Sequence, residues 1–231
     1  MPFALQKWSG KLLLAVGVAS LALAVVPAKA DDTVKLGLVA AMSGQSAKSG
    51  EAIVRGLSLA IDEINAGGGL LGKKVELLVR DDESNPAKGV IAARELVQRE
   101  KVAAFFGGLD TPVSVAIVPF ANQAKVPFIG VWAAGTAITR NGAPENYVFR
   151  VSAVDALVDV ALVDYAAKKY GAKNPGMILI NNPWGESNEK GLKAALRQQD
   201  GARESLIVKP DKHFDALLHS AFALDRRLAA V

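Results

Sequence analysis

The sequence predicts an α/β protein with parallel sheets, divided into two lobes behind a cleavable leader. Three observations carry that prediction. Apolar runs rich in β-formers alternate with stretches of helical period, glycines punctuate a helix-to-strand passage, and the alternation restarts after the turn cluster Asn141-Gly142-Ala143-Pro144. Parallel strands need covered crossovers, and an apolar strand followed by an amphipathic helix is the unit that supplies them.

The first strand is expected over 34–41. A helix follows over 51–65, where Ile53, Leu57, Ala60, Ile61 and Ile64 repeat at the helical spacing. Gly67, Gly68, Gly69 and Gly72 end it and turn the chain into a second strand over 75–80. Pro86 opens a helix reaching about residue 100, and residues 102–106 form a third strand. The helix over 111–124 contains Pro119, which predicts a kink or an early end. Strands are expected at 127–131 and 147–151. In the next helix, 153–170, Val154, Leu157, Val158, Ala161, Leu162 and Tyr165 predict a buried stripe. A strand at 177–180, a helix over 186–199, a short strand at 205–208 and a helical pattern over 213–228 complete the reading. The turn cluster places the lobe boundary between 145 and 146, giving lobe 1 over 31–145 and a partial lobe 2 over 146–231. A single continuous sheet is the alternative.

Residues 1–30 predict a secretory signal. Lys7 and Lys11 precede the fifteen-residue apolar run Leu12 to Val26, and Ala28 and Ala30 stand at the −3 and −1 positions of a cut before Asp31. The run is short for a membrane span, the competing reading. Lys7, Lys11 and Lys29 supply three of the four net positive charges of the 231-residue chain, so the mature protein is nearly neutral. With no basic run and no interleaved aromatics, a nucleic-acid partner is excluded. The absence of cysteine removes disulfides, thiolate metal sites and a lipid acceptor.

Ligands of open parallel sheets settle at the carboxyl ends of the strands. That rule selects five segments: 43–50, 81–85, 107–111, 132–136 and 181–184. Ser43 to Gly50 offers N–H groups and hydroxyls, or an ordinary helix cap. Asp110 and Thr111 stand at a helix start, where the Thr111 hydroxyl caps the helix or meets a ligand. Trp132 and Trp184 end strands of different halves, where an indole covers an apolar solute or simply packs in the rim. Asp81-Asp82-Glu83 lacks the glycine spacing of a calcium loop and reads as a solvated strand end. The 67–72 glycines follow a helix instead of a strand, which excludes a dinucleotide turn. His213 and His219, the only histidines, lie in the terminal helical pattern, and no nucleophile elbow or metalloprotease pair occurs. No catalytic residue, metal or cofactor is expected. An exported α/β hydrolase and a ligand-binding sensor domain are the alternatives.

Read in order, Lys35 to Gly44, Ala60 to Val75, Asp81 to Pro86, Val126 to Ile129 and Trp184 to Gly191 resemble the periplasmic solute-binding proteins of branched-chain amino acid ABC transporters, the leucine/isoleucine/valine-binding type. The resemblance implies type I periplasmic-binding-protein architecture, with two Rossmann-like lobes that close by hinge motion around an amino acid or amide-like solute. It implies a monomer that delivers its solute to inner-membrane permease subunits. Ser49, Asp110, Thr111 and the loop Trp132, Ala133, Ala134 are implied on the lobe 1 side of the cleft, with Trp184 the cleft aromatic of lobe 2. The family often carries an aromatic at the place of Ser49, a small residue at Trp132, and a hydroxyl near Ala134 that is displaced here to Thr136. Members of the family continue well past residue 231, and the match fades from about Ala202. The expectation is therefore a C-terminally truncated second lobe lacking the acid that pairs with the ligand ammonium.

Overall fold

The computed structural model describes residues 33–44, 46–171, 175–199 and 207–209. The expected leader over 1–30 and the helical pattern over 213–228 lie outside them. Five parallel strands form the first sheet: β1 (Thr33–Ala40), β2 (Lys74–Asp81), β3 (Ala104–Gly107), β4 (Phe128–Gly130) and β5 (Val148–Arg150), in the order β2-β1-β3-β4-β5. Their connections carry α1 (Ala47–Ala66), α2 (Pro86–Arg94) and α3 (Thr111–Ala124), with a π turn at Glu95–Arg99 and a 3-10 turn at Thr136–Ile138. A second, two-stranded parallel sheet pairs β6 (Met177–Ile178) with β7 (Ile207–Val208), beside α4 (Asp155–Tyr170) and α5 (Pro183–Arg197).

The interior strand β1 is fully buried from Leu38 to Ala40, as a parallel strand flanked on both edges must be. Phe105 and Phe128 stack at 4.9 Å across β3 and β4, and Leu96, Val113, Ile117, Ile138 and Val148 close the core around them. The helix starts follow from local chemistry. α2 and α5 both open on Asn-Pro: Asn85 accepts from the Ala87 and Lys88 amides, Asn182 from those of Trp184 and Gly185, and each proline fills a position whose N–H would have no partner. Close packing of helix on strand requires glycine twice. A side chain at Gly50 would strike the Ala41 carbonyl, and one at Gly185 the Ile180 carbonyl.

Three expectations are corrected. Of the two outcomes expected at Pro119, an early end does not occur: α3 runs to Ala124, with Pro119 on its exposed side. The strand near 147–151 does not open a new sheet: β5 pairs with β4, Phe128 opposite Val148 and Gly130 opposite Arg150, so the first sheet runs through Arg150. The apolar stripe of α4 faces outward. Leu157, Leu162 and Tyr165 are more than half exposed, while Asp155, Asp159 and Val163 are buried. The reason is geometric. Among the described residues α4 turns its other side to α5, where Val163, Met177, Ala195 and Leu196 make a small core. In α1 the inward line is Ile53, Leu57 and Ile61, with Ala60 and Ile64 exposed.

Candidate functional site

The chain leaves β1 toward β2 on one side and returns to β3 on the other, so the β1/β3 carboxyl ends form the switch point where loops diverge. A hollow of about 300 Å³ opens there, lined by Ser43, Gly44, Ser46, Glu83, Ser84, Asp110 and Pro112, with Asn182 of the second half closing it. Its walls are built by carboxylates. Asp81 accepts from the Met42 and Glu83 amides at 2.9 and 2.8 Å, joining the loops after β1 and β2. Asp82 accepts from the Ser84 amide at 2.8 Å and is fully buried, not solvated as its sequence context suggested. Burial, with the charges of Asp110 and Asp81, pushes its carboxyl up to about 6. Asp110 precedes α3 in extended conformation but its side chain does not cap the helix, and its Oδ2 is buried without a hydrogen-bond partner among the described residues.

A second hollow of about 500 Å³ lies between α3 and α5, lined by Thr111, Val115, Gly135, Thr136, Ala137, Arg140, Ala156, Pro183, Glu186, Ser187, Lys190, Gly191 and Ala194. The two hollows meet different residues of the same helix starts. Asp110 lines the first and Thr111 the second; Asn182 lines the first and Pro183 the second.

The loop after β4 is tied down by the segment that follows β5. Arg150 donates to the carbonyls of Ala133 at 3.4 Å, Gly135 at 2.6 Å and Ala153 at 3.0 Å. The Ser152 hydroxyl donates to Ala133 at 2.9 Å, and the Asp155 amide to the Ala134 carbonyl at 2.8 Å. Burial draws the Arg150 proton affinity down, opposed by the nearby Asp155 carboxylate. Thr136 accepts at its hydroxyl from the Ala156 amide, at 3.1 Å, and donates its own amide to Ser187 Oγ at 3.0 Å.

Among the residues named from sequence, Asp110, Thr111 and Thr136 line these hollows. Ala133 is buried and Ala134 half-buried, and their carbonyls are occupied as above. Ser49 is half-buried in α1, Trp132 is 58 % and Trp184 48 % exposed, and none of these three lines either hollow. All five segments selected by the strand-end rule nevertheless contribute a lining residue. Sequence reasoning selected 181–184 without singling out Asn182, and missed Ser187 and Arg150. The Asn-Pro pair, repeated at 85–86 and 182–183, was the available signal for the first; nothing in the local sequence marks the others. Among the described residues no group of three His, Cys, Asp or Glu side chains is placed to hold a metal ion, and no helix is long and apolar enough to cross a membrane. The arrangement offers hydroxyls, one unpartnered carboxylate and helix N-termini around a solute-sized space.

Comparison with known proteins agrees with this fold. A family model described as periplasmic binding protein matches residues 33–214. The Leu/Ile/Val-binding protein homolog 7 of Brucella abortus is 31 % identical over 204 residues, covering 88 % of this chain and 47 % of the relative. A solute-binding protein of an ABC transporter from Rhodopseudomonas palustris, solved with 3,4-dihydroxybenzoic acid, is 31 % identical with a TM-score of 0.68, over 82 % of this chain and 51 % of that one. The branched-chain amino acid transporter substrate-binding protein LivJ of Streptococcus pneumoniae, solved with isoleucine, is 28 % identical with a TM-score of 0.66, over 81 % and 53 %. The chain spans about half the length of the curated relatives it matches.

Proposed function

This chain belongs to the periplasmic binding protein family, and from that premise we propose that it is the extracytoplasmic solute-binding component of an ABC transporter, taking a branched-chain or related amino acid. The observation that carries the reading is the first hollow: strand-end loops of the first sheet and the start of α5 converge on one space with an unpartnered carboxylate at its wall. The Asp110 carboxylate receives the solute ammonium from the lobe 1 side, where the sequence reading had found no acid for that task. The relatives' names support an amino acid. An aromatic acid, as bound by the Rhodopseudomonas protein, is the second reading. A benzoate would bring a second negative charge to Asp110, which favours the first.

In this reading Ser43, Ser46 and Ser84 supply hydroxyls to the first hollow and Thr111 and Thr136 to the second, Ser49, the Trp132 to Ala134 loop and Trp184 stand outside both at the rim, and residues 1–30 are removed on export to the periplasm with a cut after Ala30. Two lobes meet at the crevice, the boundary following Arg150 because β5 belongs to the first sheet. The partners are the solute and inner-membrane permease subunits, and the protein acts as a monomer. It carries a solute and performs no covalent chemistry, consistent with a family of binding proteins. Calorimetric titration of the purified protein with leucine, isoleucine, valine, their amides, benzoate and 4-hydroxybenzoate tests this. Saturable binding of an aliphatic amino acid supports it; binding of benzoates alone moves the assignment to aromatic acids, and turnover of an ester or amide panel refutes it.

A further inference from the structure

We propose that Thr136 and Ser187 form a clasp that holds α5 against the strand-end loops, with Ser187 a positioning residue that sets solute affinity without being required to touch solute. The affinity half rests on the solute-binding reading above; the clasp itself does not.

The 3.0 Å bond from the Thr136 amide to Ser187 Oγ is the one hydrogen bond among the described residues that joins the first sheet's loops to α5. Its two ends are anchored differently. On the loop side, Arg150 fixes the Gly135 carbonyl at 2.6 Å, and the Thr136 hydroxyl receives the Ala156 amide at 3.1 Å. The loop is thereby rigid with respect to both β5 and α4. On the α5 side, Ser187 lies in the second turn of a helix whose start is capped by Asn182 and whose Gly185 rests on the Ile180 carbonyl. The bond adds a polar tie to α5, which is otherwise held by its packing on α4 around Val163, Ala195 and Leu196.

The bond also separates roles within the crevice. Ser187 and Thr136 line the larger hollow behind it, while Asn182, five residues earlier, reaches the smaller polar one. When the clasp is made, α5 presents Asn182 to the polar hollow; when it is broken, that wall is held only through the packing of α5 on α3 and α4. A solute needing both walls binds only the fraction of molecules in which both are present, so its apparent dissociation constant rises as that fraction falls. The net strength of one neutral hydrogen bond predicts an effect of roughly 2- to 10-fold.

Four variants of the full chain decide it: S187A, S187T, and S187V as the shape-matched partner of S187T. The fourth is a label pair, Lys48→Cys with Arg197→Cys, unique because the chain contains no cysteine. We expect the Thr136 amide to exchange with deuterium roughly 2- to 10-fold faster in S187A and S187V than in the parent and S187T. Spin-label distances between positions 48 and 197 should broaden in the same two variants, and leucine affinity should fall with them and recover in S187T. Equal Thr136 exchange in S187T and S187V overturns the clasp, and so does an unchanged distance distribution. A parent that binds none of the solute panel overturns the functional reading instead, while the exchange and distance measurements still judge the clasp. Faster exchange with unaltered leucine affinity overturns the positioning role of Ser187.

Discussion

Replacing Asp159 with Asn should flatten the pH dependence of stability between pH 4 and 7. Asp159 is completely buried on the inner side of α4, and neither carboxylate oxygen has a hydrogen-bond partner among the described residues. Its carboxylate presses against Gly191 of α5, where any side chain would collide with it. The charges around it give no relief: Asp155 on its own helix has the same sign, Lys190 and Glu186 of α5 line the larger hollow, and Glu189 is bonded to Lys193 and Lys209. Burial, then the Asp155 charge, pushes the group from 3.8 up to about 7. A raised acid favours the native state when protonated, so its contribution is present in full below about 3.8 and is lost progressively until the medium reaches about 7. At about 1.4 kcal/mol for each tenfold change the loss is at most about 4 kcal/mol, and structural relaxation around the charge brings the expected figure to roughly 2 kcal/mol. Urea unfolding followed by tryptophan fluorescence at pH 4 and pH 8 measures it. The parent should lose stability on the alkaline side. D159N should show most of that loss removed, the remainder belonging to Asp82, whose carboxyl is raised to about 6 in the same sense. A parent equally stable at both values, or D159N with the parent's slope, refutes the reasoning.

Three further outcomes follow from the site and the core. Asp110→Asn should weaken binding of an aliphatic amino acid by roughly 10- to 100-fold, the range for a hydrogen bond to a charged group; unchanged affinity by calorimetry removes Asp110 from the ammonium role. Asn182→Ala deletes the cap that holds the Trp184 and Gly185 amides, and should cost about 1 kcal/mol in urea unfolding, with Asn182→Asp largely retaining the cap. Phe105→Ala breaks the stack with Phe128 at the centre of the first sheet, where truncation costs about 3–5 kcal/mol; a loss under 1 kcal/mol would mean that the core repacks.

The sequence was most legible where a repeating pattern meets a surface that the same segment determines. α3 spans the predicted 111–124, and every strand of the first sheet lies at its expected place to within two residues. What failed was partner choice. The α4 stripe is real as a pattern, but periodicity reports that a helix has two faces and not which face finds a neighbour, and here the buried side carries Asp155 and Asp159. β5 was assigned to a new sheet because Asn141 to Pro144 reads as a boundary, yet strand pairing is decided by backbone geometry that no local residue encodes. The site shows the same division. Strand-end segments were identifiable from topology alone. Ser187 and Arg150 are ordinary helix and strand-end residues whose roles arise when α5 and the loop after β4 come together.

β1 is the earliest strand among the described residues and an interior one, flanked by β2 and β3, which come later in sequence. A polypeptide emerging N-terminus first therefore leaves one edge of β1 without a neighbour until residue 81 has followed, and the other until residue 107. A pause before β3 leaves Leu38 to Ala40, wholly buried in the finished sheet, paired on one side and open on the other.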